Sequence, residues 1–208
     1  MHEFTPFFTP FGAKNMPKYA YIMPPKPMEQ NPQTPENKGF MEKIKILFIC
    51  HGNICRSPIS EFVLKDMVEK KGIQDQFEIA SAATSTEEIW AGVGNPIYPP
   101  AQKVLKEHGI GKTPYTNFSN KRARQVTQAD YAHYDLLLCA DSANIRNTQR
   151  ITGPDTEGKI KLLLDYTDRP GRSIADPWYT GRFDETYRDV IEGCSALLET
   201  LEAEGAIL

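Results

Sequence analysis

The sequence predicts an α/β protein: a single domain built on a four-stranded parallel sheet with helices on both faces. Four short stretches have the composition of strands, and their apolar side chains are typical of a parallel sheet covered on both sides. Stretches with helical spacing separate them, so strand and helix alternate along the chain. A glycine-containing turn joins the first strand to the first helix, at the edge where such sheets bind ligands.

The first predicted strand, "KIKILFIC", ends at Cys50. The helix that follows is expected to have Ser57 as its N-cap residue and Pro58 in its first turn, where the missing N–H of proline costs nothing. Its apolar side chains recur at helical spacing, and we expect the helix to end at Gly72.

The later elements repeat this alternation. A second strand is predicted at "FEIASAATS", a helix at "PPAQKVLKEHGI", which ends in Gly109, and a third strand at "YDLLLCAD". A short helix near "SANIRNTQR" and a fourth strand at "KIKLLLDY" come next. After a long loop, "FDETYRDVIEGCSALLETLEAEG" has one apolar face and predicts the last helix. This order is typical of flavodoxin-like and Rossmann-like sheets.

Residues 1–41 differ from the rest of the chain and are predicted to be a flexible N-terminal extension, with the folded domain in residues 42–208. The extension holds half of the 16 prolines and has no signal-peptide pattern. Two other interpretations remain open: translation that starts at Met41, and a docking segment that uses the Phe and Tyr residues of the extension.

The composition argues against several classes of partner. The net charge is -3 and the chain has no block of Lys or Arg, so neither nucleic acid nor a membrane is expected as a partner. The 4 cysteines lack the spacing of a secreted disulfide framework or of a zinc site, so we expect no metal, no cofactor and a cytoplasmic location.

The turn "CHGNICRSP" has the features of an anion-binding cradle. A tight turn that leads into a helix directs several backbone N–H groups inward, and the helix dipole adds positive charge. Arg56 supplies a planar fork for two anion oxygens. Such surroundings favour the thiolate of Cys50, the reactive form of cysteine, and Ser57 can donate a hydrogen bond to it. We therefore expect Cys50 to attack phosphorus while Arg56 and the backbone hold the equatorial oxygens.

A thiolate that attacks a phosphate ester needs an acid for the leaving oxygen, and Asp176 in "IADPWYTG" is the candidate. An Asp-Pro pair in a loop is by itself ordinary turn chemistry, and the acid role is favoured because the cradle is present. The neighbouring Trp178 and Tyr179 are expected to wall a slot for a flat phenolic ring.

Three motifs in this order, "CHGNICRSP", "SAATS" and "DPWY", resemble the low-molecular-weight protein tyrosine phosphatase family over about residues 42–204. The resemblance implies a nucleophilic Cys50 that forms a phosphocysteine, a phosphate clamp at Arg56, and a general acid and base at Asp176. It also implies tyrosine-phosphorylated proteins as substrates, and we expect a monomer.

The same resemblance assigns supporting residues. The phosphate-binding loop is formed by His51, Gly52, Asn53, Ile54, Cys55 and Ser57. Asn53 is implied to adopt a left-handed conformation, held by Ser57, Ser81 and His108, although a helix-end histidine that contacts a carbonyl is an equally good interpretation of His108. Cys55 is implied to trap oxidised Cys50 as a reversible disulfide.

The same family implies that Ile54, Trp178 and Tyr179 line the aromatic slot. The segment 86–98 is longer than in many relatives and borders the mouth of the site, so the wall residue there is open, with Trp90 as a candidate.

Three other functions remain as alternatives. A protein arginine phosphatase has the same fold, but with Thr at the position of Ile54. A thioredoxin-linked arsenate reductase needs further mobile cysteines, whereas Cys139 and Cys194 fall in a predicted strand and helix. The third alternative is a phosphate-binding module without turnover.

Overall fold

The computed structural model describes residues 42–207. The predicted extension, residues 1–41, lies outside the described residues. The strands of the described part are β1 (Ile44–Cys50), β2 (Phe77–Ala83), β3 (Ile89–Trp90), β4 (Val93–Gly94), β5 (Leu136–Cys139) and β6 (Ile160–Leu162). The helices are α1 (Arg56–Lys71), α2 (Pro99–Glu107), α3 (Gln128–His133), α4 (Ser142–Thr152), α5 (Pro177–Thr180) and α6 (Phe183–Ala203).

The central sheet has four parallel strands in the order β2-β1-β5-β6, which confirms the predicted fold class. Strand β1 lies inside the sheet, with β2 on one side and β5 on the other. Its last residue, Cys50, pairs with Ala83 at the end of β2. The chain therefore leaves β1 at the carboxyl edge of the sheet, close to the point where the strand order changes direction.

Helices cover both faces of the sheet. On one face α1 packs against β1, β2 and α6; on the other, α4 packs against β5, β6 and α3. The alternation of side chains along β1 explains this, because Leu47 and Ile49 belong to the cluster that includes Ile145 and Ile151 of α4. The buried side chains of the intervening residues of β1 therefore face α1.

The start of α1 differs from the prediction. Its N-cap residue is Cys55 and not Ser57, which lies in the first turn of the helix with its hydroxyl used inside the loop. The other end is as predicted: Gly72 closes the helix in the left-handed conformation, with φ 72°.

The fourth strand is shorter than predicted. It ends at Leu162, and the rest of the apolar run forms a 3-10 turn, Leu163–Tyr166. This turn packs against α6, where Gly193 allows a close approach: a Cβ atom there would lie 2.6 Å from Cγ of Leu163. One part of the apolar run therefore pairs in the sheet, and the other packs against the last helix.

None of the helices within residues 42–207 combines the length and the hydrophobicity that a membrane span requires.

Candidate active site

The turn between β1 and α1 folds around the sulfur of Cys50. Asn53 has φ 57°, as expected, and this left-handed residue reverses the chain so that its backbone N–H donates to Cys50 Sγ at 3.3 Å. Ser57 Oγ lies 3.1 Å from the same sulfur. The N–H can only donate and the hydroxyl is able to donate, so both groups can form a hydrogen bond to the sulfur.

The side chain of Asn53 determines which way these protons point. Its Nδ2 donates to Ser57 Oγ at 3.0 Å and to Ser81 Oγ at 2.8 Å, and its Oδ1 accepts from the backbone N–H of Arg124 at 3.2 Å. Because Ser57 Oγ already accepts from Asn53, its own proton can be donated either to Cys50 Sγ at 3.1 Å or to the Ala82 carbonyl at 3.4 Å. Ser57 and Ser81 thus lie where the resemblance implies.

The predicted contact between His108 and Asn53 is not seen in the structure. Within residues 42–207, the hydrogen bonds of the Asn53 side chain involve Ser57, Ser81 and Arg124. His108 is the C-cap residue of α2, and its ring stacks on Tyr187 of α6 with the ring centroids 3.8 Å apart. It joins two helices, which corresponds to the interpretation of His108 as a helix-end residue.

The buried carboxylate of Glu61 accepts a hydrogen bond from Ser81. Ser81 Oγ donates to Glu61 Oε2 at 2.6 Å, and Glu61 is 3% exposed. Lys121 Nζ lies 2.7 Å from the same oxygen, and Lys65 Nζ lies 2.7 Å from Oε1. Burial alone would raise the pKa of Glu61, but the two lysines outweigh it and lower that pKa below its usual range. The sequence interpretation did not include this group, because Ser81 and Lys121 lie far from Glu61 in the chain.

Arg56 is almost fully buried and held by two carboxylates. Its Nη1 donates to Asp141 Oδ2 at 2.6 Å, and its Nη2 lies 2.6 Å from Asp176 Oδ2. Burial would lower the pKa of the guanidinium, but the nearby Cys50, Asp176 and Asp141 raise it above its usual value. The arginine therefore stays charged at the base of the cradle.

The sequence interpretation missed Asp141, although a signal for it exists. This residue follows the apolar run of β5, so it lies at the same carboxyl edge as Cys50. It is the N-cap residue of α4, where its Oδ1 accepts from the backbone N–H of Asn144 at 2.7 Å. An acidic residue directly after a buried parallel strand is a reasonable candidate for such an edge.

Asp176 reaches the cradle from a loop that is fixed at several points. The preceding residue Ala175 donates its N–H to Asp189 at 2.9 Å and accepts from Thr186 Oγ1 at 2.8 Å. Asp176 Oδ1 accepts from the backbone N–H of Trp178 at 3.1 Å, so the carboxylate has one oxygen on its own turn and one on Arg56. The structure thus brings Asp176 and Cys50 to the same arginine.

An aromatic cluster lies beside the cradle. Trp178 is in contact with Tyr98, with ring centroids 5.3 Å apart, and Tyr98 in turn lies against Phe183. Ile54 belongs to the same cluster, and its carbonyl accepts from the Tyr98 N–H at 2.9 Å. Tyr179 is 86% exposed at the rim. Tyr98, which the sequence interpretation missed, is the side chain from the segment 86–98 that contacts Trp178.

Cys55, the predicted redox partner, is a buried thiol. It is 6% exposed, and burial, reinforced by the nearby Cys50, raises its pKa to about 12. All four cysteines of the chain are free in the structure. Cys55 is therefore held in the protonated form, the less nucleophilic one.

His51 and Gly52 form the outer side of the loop. The His51 ring nitrogen Nε2 lies 2.9 Å from Glu87 Oε2, and both side chains are exposed. At Gly52 a Cβ atom would lie 3.0 Å from Cγ of Glu88, so only a residue without a side chain fits there freely. Among residues 42–207 there is no group of three or more His, Cys, Asp or Glu side chains arranged to hold a metal ion.

Comparison with known proteins gives a consistent result. The family profile described as low molecular weight phosphotyrosine protein phosphatase matches residues 45–206. The chain is 35% identical to the Bacillus subtilis low molecular weight protein-tyrosine-phosphatase YfkJ over 162 residues, which are 77% of this chain and 97% of that protein. It is 39% identical to the low molecular weight phosphotyrosine protein phosphatase of Gallus gallus, over 74% of this chain and 93% of that one.

Solved structures agree. The crystal structure of YfkJ from Bacillus subtilis superposes with a TM-score of 0.71 at 33% identity, covering 80% of this chain and 99% of that one. The low molecular weight protein tyrosine phosphatase SP-PTP from Streptococcus pyogenes gives 0.62 at 36% identity, with coverages of 76% and 92%.

Proposed function

The chain belongs to the low molecular weight phosphotyrosine protein phosphatase family, and from that premise we propose that it hydrolyses phosphotyrosine in proteins through a phosphocysteine on Cys50. One observation carries the proposal: Arg56 joins the loop of Cys50 to Asp176, with Nη2 and Oδ2 2.6 Å apart. The contact supports Arg56 as the phosphate clamp between Cys50, the proposed nucleophile, and Asp176, the proposed acid.

In the first step, the Cys50 thiolate attacks phosphorus and the bond from phosphorus to the phenolic oxygen breaks. Asp176, in its protonated form, gives its proton to the departing oxygen. The guanidinium of Arg56 and the N–H groups of the loop stabilise the charge on the equatorial oxygens. Asp176 contacts Arg56 through Oδ2, whereas its Oδ1 accepts from the Trp178 N–H. An incoming phosphate would therefore compete with Oδ2 for Arg56 and leave the hydrogen bond of Oδ1 intact.

In the second step, water attacks the phosphorus of the phosphocysteine and the sulfur–phosphorus bond breaks. Asp176, now a carboxylate, accepts the proton of that water. Inorganic phosphate leaves and the thiolate of Cys50 is restored, where it can accept hydrogen bonds from the Asn53 N–H and from the Ser57 hydroxyl. The cycle needs no redox partner and no metal.

The aromatic cluster supports a phenolic substrate. Ile54, Tyr98 and Trp178 give the cradle an apolar side, against which a phenyl ring can be buried. Phosphoserine is too short to fill such a slot and also place its phosphorus at Cys50. Phosphoarginine is long enough, but it would leave guanidinium N–H groups unpaired against apolar side chains, which is costly.

The burial of Cys139 and Cys194 weighs against the arsenate reductase alternative. Both are 0% exposed, one inside β5 and the other inside α6, so neither is accessible for a disulfide relay. The arginine phosphatase alternative differs mainly at Ile54, and the non-catalytic alternative requires a defect in a site to which Cys50, Arg56 and Asp176 all contribute. We further propose a monomer that acts in the reducing cytoplasm.

The experiment is turnover of matched phosphotyrosine, phosphoserine and phosphoarginine peptides without added metal. We expect kcat/KM to be highest for phosphotyrosine and lowest for phosphoserine. Cys50→Ser should abolish turnover, because a serine hydroxyl is almost entirely protonated at neutral pH. Ile54→Thr should narrow the preference for tyrosine over arginine. A preference for phosphoarginine in the unchanged protein would replace the substrate but keep the chemistry, whereas full activity of Cys50→Ser would overturn the mechanism.

A further inference from the structure

The last helix, α6, has a row of polar side chains beside the segment that leads to the proposed acid. Thr186, Asp189 and Glu192 follow one another at intervals of three residues, which places them on neighbouring turns along one side of the helix. All three contact the segment 169–175, which ends immediately before Asp176. The reaction steps described above do not use this row, although it adjoins the acid.

The row binds both backbone polar groups of Ala175. Asp189 Oδ2 accepts from the Ala175 N–H at 2.9 Å, and Thr186 Oγ1 donates to the Ala175 carbonyl at 2.8 Å. Thr186 is 0% exposed, and the side chain of Asp189 is 17% exposed. The N–H and the carbonyl of one residue belong to two successive planar peptide groups, so each of these groups is held by its own hydrogen bond. The direction in which the chain enters Asp176 is therefore set by α6.

The segment is also attached to the carboxyl edge of the sheet. The N–H of the buried Ile174 donates at 2.8 Å to the carbonyl of Ala140, which directly precedes Asp141. This contact fixes where the segment passes the edge of the sheet. One hydrogen bond at Ile174 does not prevent rotation of the backbone at Ala175, because each residue has two soft dihedral angles. The contacts with α6 remove that freedom.

The direction of this backbone determines where the carboxyl group of Asp176 lies. Its Oδ1 accepts from the Trp178 N–H at 3.1 Å, and its Oδ2 lies 2.6 Å from Arg56 Nη2. Rotation of the preceding peptide group would move this short side chain relative to Arg56 and Cys50. A displacement of about 1 Å is enough to slow a reaction by about 100-fold.

Asp189 has a charged partner in the same segment. Its Oδ1 lies 3.8 Å from Arg172 Nη1, and Arg172 Nη2 donates to Glu192 Oε1 at 2.6 Å. The arginine therefore connects two carboxylates of the row and holds Asp189 with its other oxygen toward Ala175. Ion pairs of partly exposed side chains contribute little to stability. The hydrogen bond from the Ala175 N–H is thus the contact of Asp189 that matters for the position of the acid.

We propose that Asp189 is a positioning residue for the general acid: its hydrogen bond with the Ala175 N–H holds the carboxyl group of Asp176 where it can protonate the leaving oxygen. This rests on the proposed function. Asp189 acts through the acid and not on the substrate. Its loss should therefore affect the part of the reaction that the acid performs, whereas the loss of a residue that only stabilises the fold affects all substrates alike.

The test is kcat/KM of the unchanged full-length protein and of Asp189→Ala across phenyl phosphates with leaving groups of rising pKa. We expect a loss of about 10–100-fold for the poor leaving groups and little loss for para-nitrophenyl phosphate. Asp189→Asn should retain most of the activity, because an amide oxygen also accepts from the Ala175 N–H. Glu192→Gln is the matched control: it weakens an ion pair of the same row with Arg172, and the series should stay unchanged.

Combined variants show whether Asp189 acts through the acid. In the Asp176→Asn background, kcat/KM should change by less than about twofold when Asp189→Ala is added, because no acid remains to be positioned. Losses that multiply would overturn the proposal, as would an equal loss of Asp189→Ala for all leaving groups. Thr186→Val removes the hydroxyl group from the Ala175 carbonyl with little change of shape. It should give a smaller loss with the same dependence on the leaving group.

Amide hydrogen exchange measures the contact without turnover. In Asp189→Ala the Ala175 amide should exchange faster, whereas the Ile174 amide, which donates to Ala140, should keep its protection. Unchanged exchange at Ala175 would contradict the proposal.

The kinetics also distinguish this proposal from the proposed function. A loss that depends on the leaving group in Asp176→Asn but not in Asp189→Ala would reject the positioning role alone. An equal loss across the series in Asp176→Asn would reject the acid role itself, and with it the role of Asp189.

Discussion

Asp141 and Arg56 form a partly buried ion pair across the carboxyl edge of the sheet, with Oδ2 and Nη1 2.6 Å apart. The pair leaves the other end of the guanidinium for the cradle, where Asp176 now contacts it. A planar group held at one end is already oriented for two oxygens at the other. Asp141 is thus placed to orient the proposed phosphate clamp.

The first prediction follows from that pair. Asp141→Asn keeps a residue type that caps helices well, so α4 should still form. The charge that orients Arg56 is lost, and we expect kcat/KM to fall by about 100-fold because a small misplacement of a positioning group is that costly. Steady-state kinetics on para-nitrophenyl phosphate measure this. Asp184→Asn, at an exposed ion pair with Arg188, is the matched control and should change nothing.

The second prediction concerns the proposed acid. Asp176→Asn should slow aryl phosphates with poor leaving groups by about 10²–10⁴-fold and activated ones much less, because protonation matters most when the leaving oxygen is basic. Asparagine also accepts from the Trp178 N–H and so preserves the turn. The measurement is kcat/KM across a series of substituted phenyl phosphates. An equal loss across the series would contradict the acid role.

Redox behaviour gives the third prediction. Peroxide converts the Cys50 thiolate to a sulfenic acid, and attack by Cys55 sulfur then forms a disulfide and releases water; dithiothreitol reduces it again. Since burial and the proximity of Cys50 raise the pKa of Cys55 to about 12, few Cys55 thiolates exist at neutral pH. We therefore expect disulfide formation to accelerate as pH rises.

Mass spectrometry after brief peroxide exposure checks this. Cys55→Ser should recover less activity with dithiothreitol than the unchanged protein, because unprotected Cys50 oxidises further to forms that thiols do not reduce. Cys194→Ser, at a fully buried cysteine of α6, is the control for a general effect of removing a thiol. Equal recovery of Cys55→Ser and the unchanged protein would remove the protective role.

The fourth prediction uses the buried Glu61. Its folded-state pKa lies below the ordinary value of 4.5, so the unfolded chain binds this proton more readily than the folded one. The stability that Glu61 provides is therefore complete above about pH 4.5 and is lost as the pH falls below it. Glu61→Gln should flatten the acid part of the stability curve, and at pH 7 it should cost about 3–5 kcal/mol, because Lys121 and Lys65 lose their buried partner.

Urea unfolding between acid and neutral pH measures this. Glu69→Gln, on the same helix, is a control of the same chemistry outside the buried trio. Curves for Glu61→Gln and the unchanged protein that stay parallel at all pH values would contradict the assignment.

The fifth prediction concerns residues 1–41. We propose that a chain starting at Met41 folds and turns over substrate as the full chain does, because the family match begins at residue 45. The measurements are the melting temperature and kcat of both chains. A fall in either on truncation would show that the extension contributes to the domain.

The sheet could be predicted because each of its strands is an apolar run that is visible in the local sequence. The last run, "KIKLLLDY", was predicted as one strand, although only its first part is a strand. Burial against α6 and burial in the sheet both require apolar side chains, so the sequence does not distinguish them. Ser57 was wrong as an N-cap because the preference of serine for caps competes with its bond to Cys50, and the site prevails. Periodicity does not reveal such competition.

In the site, the residues of the cysteine turn and those of the two later motifs, Ser81 and Asp176, could be predicted, whereas Asp141 and Glu61, which lie outside these motifs, were not predicted. The support of Asn53 illustrates this: His108 follows a helix, but its ring stacks on Tyr187, and the fold brings the backbone N–H of Arg124 to the Asn53 side chain instead. Tyr98 and Trp178 are likewise distant in the chain, and only the fold brings their rings into contact. These are long-range relationships, which local patterns do not contain.

The position of β1 inside the sheet has a consequence for how the protein folds. Pairing of β1 with β2 requires closure only of the short loop that contains α1. Contacts between β1 and the start of β5 join residues much further apart in the chain, such as Lys45 and Asp135, which are 90 residues apart. Loop closure costs more entropy for the second step, so β1, α1 and β2 are expected to associate before β5 docks. Arg56 and Asp141, 85 residues apart, meet only in that later step. A nascent or partly folded chain can thus have its cysteine turn in place and still lack an oriented arginine, which links the onset of turnover to the completion of the fold.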